Sequence, residues 1–372
     1  MSTLAPTIAL VVEGTEVSSD VTDAIVQCRF EQSENEADMI EIVVTNPDAV
    51  FNDSRVFQPG NEIEVWMGYD LVPEFVGRAV ILKHNPLFPP RGIPRLRIKG
   101  YDASYRAMES GEGGAWESLS YADVVLSLAS KYGWNTADVE TALPTLTNIF
   151  QRRGSSDWEF IQGVGNLLGF ATWVDWDYTL QQWALHWTSN PGVQTDFWTF
   201  DYVQPGVASL GTPTLKWFEP EYTIQDATTG IQIFFFDRQT KEWTEAKFEE
   251  AAPGESPKFV SGEAMATAIE STSQLRIAIG ETAVEVVANR NFTGPTEAYD
   301  FAERWFQQRK DQFIQARGGL SVGLPRLRPR QQHTFDGLGT RLSGEYYFSK
   351  VVHEYKVGTG YFTEFNVRKV LT

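Results

Sequence analysis

The feature that most constrains this 372-residue chain is a β-rich stretch near its end that glycines divide into short pieces. Within residues 324–368, runs rich in aromatic and β-branched residues occupy 332–335, 346–355 and 361–367. Glycine turns separate these runs, and this alternation is typical of antiparallel strands joined by hairpins. The stretch therefore predicts a three-stranded meander, preceded by a long helix at 296–317.

A weaker copy of the same arrangement lies at residues 57–101. In each copy a proline turn, at Pro59 or Pro329, leads into the first strand. Each copy also has a long apolar strand that ends in a histidine, His84 or His353, and a closing strand with alternating apolar residues. The two copies predict two related small antiparallel β-barrels in one chain.

The segment between the copies carries helical signals of its own. Ser120 and Asp123 have capping-box spacing before an amphipathic run that Gly133 would stop. A second helix is expected after residues 155–157, any of which can cap it. The tryptophan-rich run at 170–187 follows and is interpreted as two strands with a short turn, so the segment is an α/β insertion.

These signals predict a β-rich α+β chain of three domains. The first β-barrel domain spans 1–105, the α/β insertion 106–212 and the second β-barrel domain 213–372. The last domain includes a charged, Pro/Gly-bearing loop at 249–275 and the helix at 296–317.

Details of the second barrel domain follow from local patterns. Runs at 216–227 and 230–248 are interpreted as one hairpin that turns at 228–230, and another strand is expected at 283–287. Gly318 and Gly319 would end the long helix. Its packing face is a stripe formed by Ala302, Trp305, Phe306, Arg309 and Phe313.

Composition limits the possible partners. The 49 acidic residues exceed the 31 basic ones, and this net charge of -18 argues against general binding to nucleic-acid phosphates. The sequence lacks a signal-peptide pattern and a run of about 18 apolar residues, so neither export nor membrane insertion is expected. The single cysteine, Cys28, cannot form an intramolecular disulfide and is interpreted as a small core residue.

Motifs that suggest catalysis or cofactors lack their required context. Ser321 lies in a G-x-S-x-G pattern, but a nucleophile elbow needs a strand before the serine and a helix after it, whereas a helix is predicted before it. Gly163, Gly165 and Gly169 lie inside a predicted helix and do not have the spacing of a dinucleotide loop. Neither a catalytic residue nor a cofactor site is therefore predicted.

The histidines give no metal-site pattern either. None of the four has a second histidine at the spacing of a zinc site, and Cys28 has no partner ligand. We interpret them as structural residues: His84, His186, His333 and His353. No metal site is predicted.

Three motifs together resemble a known family. In their order along the chain, the motifs PGNEIEVWMGY at 59–69, SSDWEFIQGVGNLLGF at 155–170 and SGEYYFSKVVHEYKVGTGYFTEF at 343–365 resemble the late control D proteins of contractile-tailed phages. These proteins are baseplate hubs, related in fold to the hub half of type VI secretion spike proteins. The resemblance covers residues 57–368.

The resemblance implies a structural role rather than an enzymatic one. It implies a homotrimer whose six barrels form a pseudo-hexameric ring, joining the hexameric tail tube, or a tube-initiator protein, to a trimeric central spike. Baseplate wedge proteins would be neighbours, and the channel would pass DNA or the tape measure protein. The location would be the virion tail baseplate, assembled in the host cytoplasm.

Two carboxylates are candidates for the channel wall of such a ring. Glu62 and Glu64 alternate with Ile63 and Val65, so a strand would place both carboxylates on one face and both apolar residues on the other. In a ring the two carboxylates are expected to face the channel.

Two other functions stay open from the sequence. The tryptophans of the insertion could form a carbohydrate-binding platform, although alternation along two strands would bury part of the set: Trp173, Trp176, Trp183 and Trp187. Carboxylate pairs such as Asp175 and Asp177 would allow a peptidoglycan hydrolase. Such an enzyme needs a particular distance between two carboxyl groups across a cleft, and a sequence does not give this distance.

Overall fold

The structure of the chain is a computed structural model. It describes residues 5–34, 36–70, 72–109, 111–189, 197–202, 214–222, 230–237, 241–249, 284–288, 298–299, 301–302, 305 and 314–370. Among these residues no helix has the length and apolar character that a bilayer crossing requires.

The N-terminal part forms seven strands, one short α-helix and a 3-10 turn at Pro47–Ala49. In chain order these are β1 Pro6–Val12, β2 Thr15–Glu16, α1 Ser19–Asp23, β3 Ile25–Ser33, β4 Met39–Thr45, β5 Glu62–Tyr69, β6 Val72–Leu87 and β7 Arg95–Tyr101.

The insertion follows with helices and strands interleaved. These are α2 Tyr105–Met108, β8 Gly114–Leu119, α3 Tyr121–Lys131, β9 Asn135–Val139, β10 Leu146–Gln151, α4 Asp157–Leu168, β11 Ala171–Asp177 and β12 Gln182–Thr188.

The C-terminal part is formed mainly by strands. These are β13 Thr199–Asp201, β14 Leu215–Tyr222, β15 Gly230–Asp237, β16 Glu242–Glu249, β17 Val284–Ala288, β18 Ile314–Leu320, β19 Gln332–Asp336, β20 Gly344–Lys356 and β21 Gly360–Lys369.

Strands from both ends of the chain form one 13-stranded sheet that contains two units of the same strand order. We call β3-β4-β7-β6-β5-β1 the first unit and β14-β18-β21-β20-β19-β13 the second unit. Every pair of neighbours is antiparallel in both, except that β19 and β13 run parallel where β5 and β1 run antiparallel. The predicted fold class, a β-rich α+β chain with two related antiparallel units around an α/β insertion, is confirmed.

The two units meet at one strand pair, which we call the joint. The second half of β20 pairs antiparallel with β3, from Lys350 opposite Ser33 to Lys356 opposite Gln27. Nearby, the Tyr69 hydroxyl of the first unit donates to a carbonyl of the second unit, that of Tyr361, at 2.7 Å. The joint therefore makes the two units parts of one continuous sheet.

Each unit has its own core. The first core is mainly aliphatic and includes Leu10, Ile40, Ile63 and Ile98, all fully buried. The second is richer in aromatic side chains, which include Phe200, Phe335, Tyr346, Phe348 and Phe365.

The predicted hairpin that turns at 228–230 is wrong. β14 pairs with β18, and β15 pairs instead with β16 and in parallel with β17, in a separate three-stranded sheet. Ile231, Ile233 and Phe235 on one face of that sheet pack against Ala298, Phe301 and Ala302. Burial alternates along β15, because the helical residues cover only the face that carries these three side chains.

The predicted helix at 296–317 extends too far toward the C-terminus. Residues 298, 299, 301, 302 and 305 are helical, but the segment from Ile314 onwards is β18. Gly318 and Gly319 lie inside this strand, where a Cβ would be 2.5 Å from the Phe365 ring and 2.4 Å from the Trp217 indole. These glycines allow large rings to pack on the strand and do not cap a helix. Phe306, Arg309 and Phe313 of the predicted stripe, and residues 250–275 of the predicted loop, lie outside the described residues.

The predicted caps of the insertion helices are confirmed. Ser120 and Asp123 form a capping box on α3, and Ser156 forms a second one with Glu159 on α4. In α4 a Cβ on Gly165 would be 2.3 Å from the Thr172 hydroxyl, so this glycine allows the helix to approach β11. The three domain boundaries stay predictions.

Candidate functional site

The joint carries a network of ion pairs on one face of the shared sheet. Arg29 lies 3.1 Å from Glu31 and 3.8 Å from Glu354 across the joint, and Lys350 pairs with Glu31. On the next strands Lys99 lies 2.6 Å from Glu41. We call this surface of β20, β3, β4 and β7 the charged face.

The charged face is electrostatically balanced. Burial raises the pKa of Glu31, but hydrogen bonds and charge from Lys350 and Arg29 outweigh burial and hold the pKa below its ordinary value. Each carboxylate of this network therefore has a cation beside it, and the surface combines both signs of charge.

Glu62 and Glu64 lie on one face of β5 as predicted, with Ile63 and Val65 in the core on the other side. Both carboxylates pair with Arg78 of β6, and the Glu64 oxygen lies 2.6 Å from the guanidinium. In this chain the pair contacts the insertion, and the predicted role in a channel wall stays a prediction.

The insertion covers this group with two tryptophans. The Trp183 indole donates to Glu62 at 3.1 Å, and the Arg78 guanidinium lies 3.6 Å from the centre of the Trp176 ring. An arginine stacked on an indole and paired with two carboxylates is held firmly in place. Arg78 therefore attaches the insertion to the first unit.

A polar cavity of about 350 Å³ lies where the first unit, the insertion and the segment before β19 meet. Gln32, Asp38 and Asp102 line it from the first unit, Trp173 and Asp175 from β11, and Arg328 to Gln331 from the segment that leads into β19. Charged groups of both signs thus face one space at the centre of the chain.

Two buried carboxyls line this cavity, and a backbone hydrogen bond links their residues. The Asp38 amide donates to the Asp102 carboxyl at 2.6 Å, and Gln32 donates to the Asp38 carboxyl at 3.0 Å. Burial raises the pKa of Asp38 to about 7, and the charge of Asp102 adds to this effect. Burial also raises the pKa of Asp102, to about 6.

Two arginines approach the carboxyls from the second unit. Arg328 donates to the Phe75 carbonyl at 2.9 Å, and burial lowers its pKa, although a guanidinium stays charged at neutral pH. Arg330 donates to the Ser33 carbonyl at 3.0 Å and lies 4.3 Å from the centre of the Trp173 ring. Both side chains therefore link the second unit to its neighbours.

His186 is the residue that the sequence analysis missed. Its two ring nitrogens lie 2.7 Å from Asp138 and 2.8 Å from Asp175, and its ring stacks on Trp173 at 4.4 Å. Burial lowers the pKa of His186, but the two carboxylates outweigh burial and raise it above the ordinary value. Trp173 and Asp175 lie two residues apart on β11, beside His186 on β12, but Asp138 comes from the distant strand β9, so spacing gave no signal for the complete group.

The other predicted residues have structural surroundings. Cys28 is fully buried, and burial raises its pKa, as expected for a core thiol. Ser321 lies 2.9 Å from the Thr214 hydroxyl. The residue before it ends strand β18 rather than the predicted helix. Among the described residues no cluster of histidine, cysteine and carboxylate side chains fits a metal ion.

Two of the four histidines have buried surroundings in the second unit. His353 is fully buried between the Tyr361 hydroxyl and the Leu327 carbonyl, and burial lowers its pKa to about 3. Burial likewise lowers the pKa of His333 to about 4. Both are neutral structural residues at ordinary pH.

The tryptophans of the insertion divide as predicted. Trp187 and Trp183 are buried in the insertion core, while Trp176 and Trp173 have their rings in contact with Arg78 and Arg330. Neighbouring side chains therefore occupy the ring faces that a sugar would need.

The sequence matches one family model. The model is described as the Alg8 N-terminal domain, and it matches residues 2–182, which span the first unit and most of the insertion. No curated protein matches this chain. The matching model is not one of late control D proteins.

Solved structures match the fold over nearly the whole chain. A tail protein from Neisseria meningitidis MC58 superposes with a TM-score of 0.67 at 11% identity, covering 98% of this chain and 97% of its own. A 43 kDa tail protein of prophage MuSo2 from Shewanella oneidensis gives 0.67 at 11%, covering 98% of each.

A secretion-system protein shares the same fold. An Escherichia coli component of the type VI secretion system, itself structurally similar to T4 bacteriophage tail proteins, gives a TM-score of 0.55 at 10% identity. It covers 97% of this chain and 77% of its own. The chain thus has the fold of phage tail proteins and of this secretion component, and identities this low establish the fold alone.

Proposed function

We propose that this protein is the baseplate hub of a contractile phage tail or of a related contractile injection system. Three copies would form a pseudo-hexameric ring that adapts the hexameric tail tube to a trimeric spike. The observation that carries the proposal is the joint, where two units of identical strand order share one sheet. Three chains would then supply six similar units.

The joint supplies a template for contacts between copies. By their places in the two strand orders, β6 corresponds to β20 and β14 corresponds to β3. His84 and His353 correspond when the ends of the two hairpins are aligned. A joint between copies would therefore pair the second half of β6 with β14 of the next copy.

Both strands have an edge available for this pairing. In the described part of the chain, β5 pairs with β6 only as far as Val80, and the outer edge of β14 has a single bridge, between Tyr202 and Leu215. Pro86 and Pro220 lie on these two strands, and proline is tolerated mainly at sheet edges. Each proline removes one donor, so a joint between copies is weaker than the joint within the chain.

The wider assembly follows from this ring. The partners would be the spike, the tail tube or a tube-initiator protein, baseplate wedge proteins and the tape measure protein, with the hub in the virion tail. The role is binding rather than catalysis. The charged face, or the predicted Glu62 and Glu64, would line a channel for DNA, and the balanced charges would let phosphates pass without tight binding.

Light scattering on the full chain, alone and mixed with the spike protein, tests the oligomeric state. A species of three times 41.9 kDa in either sample supports the ring. A monomer in both samples contradicts it.

A disulfide trap tests the proposed pairing itself. Transferring the register of the joint places Lys83 opposite Glu219 of the next copy, and both are exposed. Within one chain, seven strand spacings separate them, roughly 30 Å along the sheet. The double variant Lys83→Cys with Glu219→Cys should form a covalent trimer under oxidising conditions.

The matched control combines Lys83→Cys with Glu117→Cys, an exposed residue of β8 in the insertion. Only the first pair should give a trimer on a non-reducing gel. Equal yields from both pairs, or no trimer from the first pair in the presence of the spike, would overturn this geometry.

A further inference from the structure

The polar cavity touches all three parts of the chain. Asp38 and Asp102 belong to the first unit, Asp175 to the insertion, and Arg328 and Arg330 to the segment that leads into β19. A change of charge in this space therefore acts on the contacts among the three parts at once.

We propose that the cavity is a proton-dependent lock, in which one proton held by the carboxyls of Asp38 and Asp102 keeps the insertion and the 328–331 segment packed on the first unit. Loss of that proton would loosen this packing. The inference does not depend on the proposed hub function.

The charges that face each other explain why one proton is needed. When all groups are ionised, the carboxylates of Asp38, Asp102 and Asp175 face the guanidinium groups of Arg328 and Arg330. Arg78 is a third cationic side chain that lines the cavity, but it already pairs with two glutamates that lie outside the cavity. One negative charge is in excess, and Asp38 and Asp102 are only 6% and 3% exposed, so an unbalanced charge on their carboxyls is costly.

His186 does not cancel this excess. It bonds to Asp175 but also to Asp138, so a protonated His186 with these two carboxylates still leaves one negative charge. A proton on the neighbouring pair Asp38 and Asp102 restores the balance.

The hydrogen bonds around the pair favour the same conclusion. Gln32 is 5% exposed, and its amide oxygen has no hydrogen-bond partner although its amide nitrogen donates to Asp38. A carboxylate only accepts hydrogen bonds, whereas a protonated carboxyl also donates one. Protonation of the pair thus adds a donor to a group that contains a buried acceptor without a partner.

The pKa values give the direction and the range of the pH effect. The pKa of Asp38 is raised to about 7 and that of Asp102 to about 6, both above the values of an unfolded chain. A carboxyl with a raised pKa stabilises the fold fully below its unfolded pKa, and this stabilisation is lost as the pH rises through the folded pKa. The lock is therefore closed in mildly acidic solution and opens above about pH 7.

Two measurements on the full-length chain test the lock. Infrared spectra should show the band of a protonated carboxyl at about pH 6, and Asp38→Asn should remove or weaken it. In hydrogen exchange, corrected for the intrinsic pH dependence, peptides covering 171–188 and 324–332 should exchange at least about tenfold faster at about pH 8.5 than at about pH 6.

Matched variants assign the effect to the carboxyl pair. Asp38→Asn and Asp102→Asn should each remove most of the pH-dependent change in exchange. Glu41→Gln on the neighbouring strand, whose partner is the surface residue Lys99, should leave it intact. His186→Gln should also leave most of it, which separates the pair from the histidine.

The lock is disproved if the wild-type protein lacks the protonated carboxyl band. It is equally disproved if the change in exchange persists in both asparagine variants. Should one variant not fold, the other variant and the wild-type infrared spectrum decide.

Discussion

The two units share a strand order but not a core. Ile40 and Ile63 represent the aliphatic packing of the first unit, whereas Phe335, Phe348 and Phe365 form the aromatic packing of the second. Hairpins and alternation set the order of strands, and any residues of suitable volume can then fill the interior. The comparison teaches that the duplication is preserved in the topology rather than in the side chains.

The units also differ in what contacts them. The insertion covers part of the first unit through Arg78 and the tryptophans beside it, and the second unit sends Arg328 and Arg330 into the cavity. Substitutions in equivalent places should therefore have different consequences, which the following experiments measure in order of expected size.

Removing a large core ring from each unit should have the largest effect. Phe348→Ala and Phe30→Ala should each lower the free energy of unfolding by about 3–5 kcal/mol, because both rings are almost fully buried. Phe150→Ala is the control, since this ring is 72% exposed. Urea unfolding followed by circular dichroism and fluorescence should give one transition, and two separate transitions would show that the joint does not couple the units.

The next largest loss of stability is expected from removing Arg78, the arginine that attaches the insertion to the first unit. Arg78→Met should cost about 3 kcal/mol, because Glu64 is 7% exposed and would be left without its cation. The triple variant with Glu62→Gln and Glu64→Gln should recover part of this loss in the same urea experiment. No recovery would mean that the guanidinium contributes by packing on Trp176 rather than by charge.

The local parts of the fold could be predicted from the sequence. Glycine turns and alternation gave both meanders, and the capping-box spacing of Ser120 and the possible caps at residues 155–157 gave the insertion helices. The pairing of β14 with β18 could not be predicted, because the two strands are far apart and only packing selects the partner. Gln315 and Ala316 favour a helix by propensity, but ladder bonds to β21 keep them in a strand.

The candidate site could be predicted from the sequence only in part. The alternation around Glu62 correctly placed both carboxylates on one face, but nothing in the sequence indicated Arg78 as their partner. Asp38 is one of 49 acidic residues, and four strands separate it in the chain from its neighbour Asp102. Charge clusters of this kind result from tertiary packing and leave no local pattern.

Lowering the pH should destabilise the second unit through its buried histidine, His353. His353 is fully buried, and its pKa is lowered to about 3. A base with a lowered pKa stabilises the fold above its unfolded pKa and loses this contribution as the pH falls. Between about pH 6.5 and about pH 5 the loss should reach about 2 kcal/mol.

The variant His353→Gln isolates the contribution of His353 to the pH dependence of stability. Its own stability is lower at every pH, but the difference from the wild type should shrink as the pH falls. Urea midpoints measured across this range give the slope, and a constant difference would refute a neutral buried His353.

Adding one methyl group to a strand glycine should have a smaller effect in both units. A Cβ on Gly77 would lie 2.3 Å from the Phe30 ring, and one on Gly318 would lie 2.5 Å from the Phe365 ring. Gly77→Ala and Gly318→Ala should therefore each cost about 1–3 kcal/mol.

Gly163→Ala is the matched control, since no atom lies within 4 Å of its Cβ position in α4. It should raise stability by up to about 1 kcal/mol through helix propensity. Thermal unfolding of the three variants compares them directly, and a neutral Gly318→Ala would show that the Phe365 ring can move aside.

The smallest effect on stability is expected from replacing one surface lysine in each unit. Lys350 pairs with Glu31 on the charged face, whereas Lys83 lies on the edge of β6 that the hub proposal assigns to a joint between copies. Lys350→Ala should lower the stability of the single chain by about 0.2–1 kcal/mol, and the difference should shrink in high salt. Lys83→Ala should leave the single chain unchanged and weaken only the trimer with the spike, because its opposite charge, Glu219, would belong to another copy. Equal losses for both lysines in the monomer would place Lys83 in a contact within the chain and remove the basis for pairing β6 with β14.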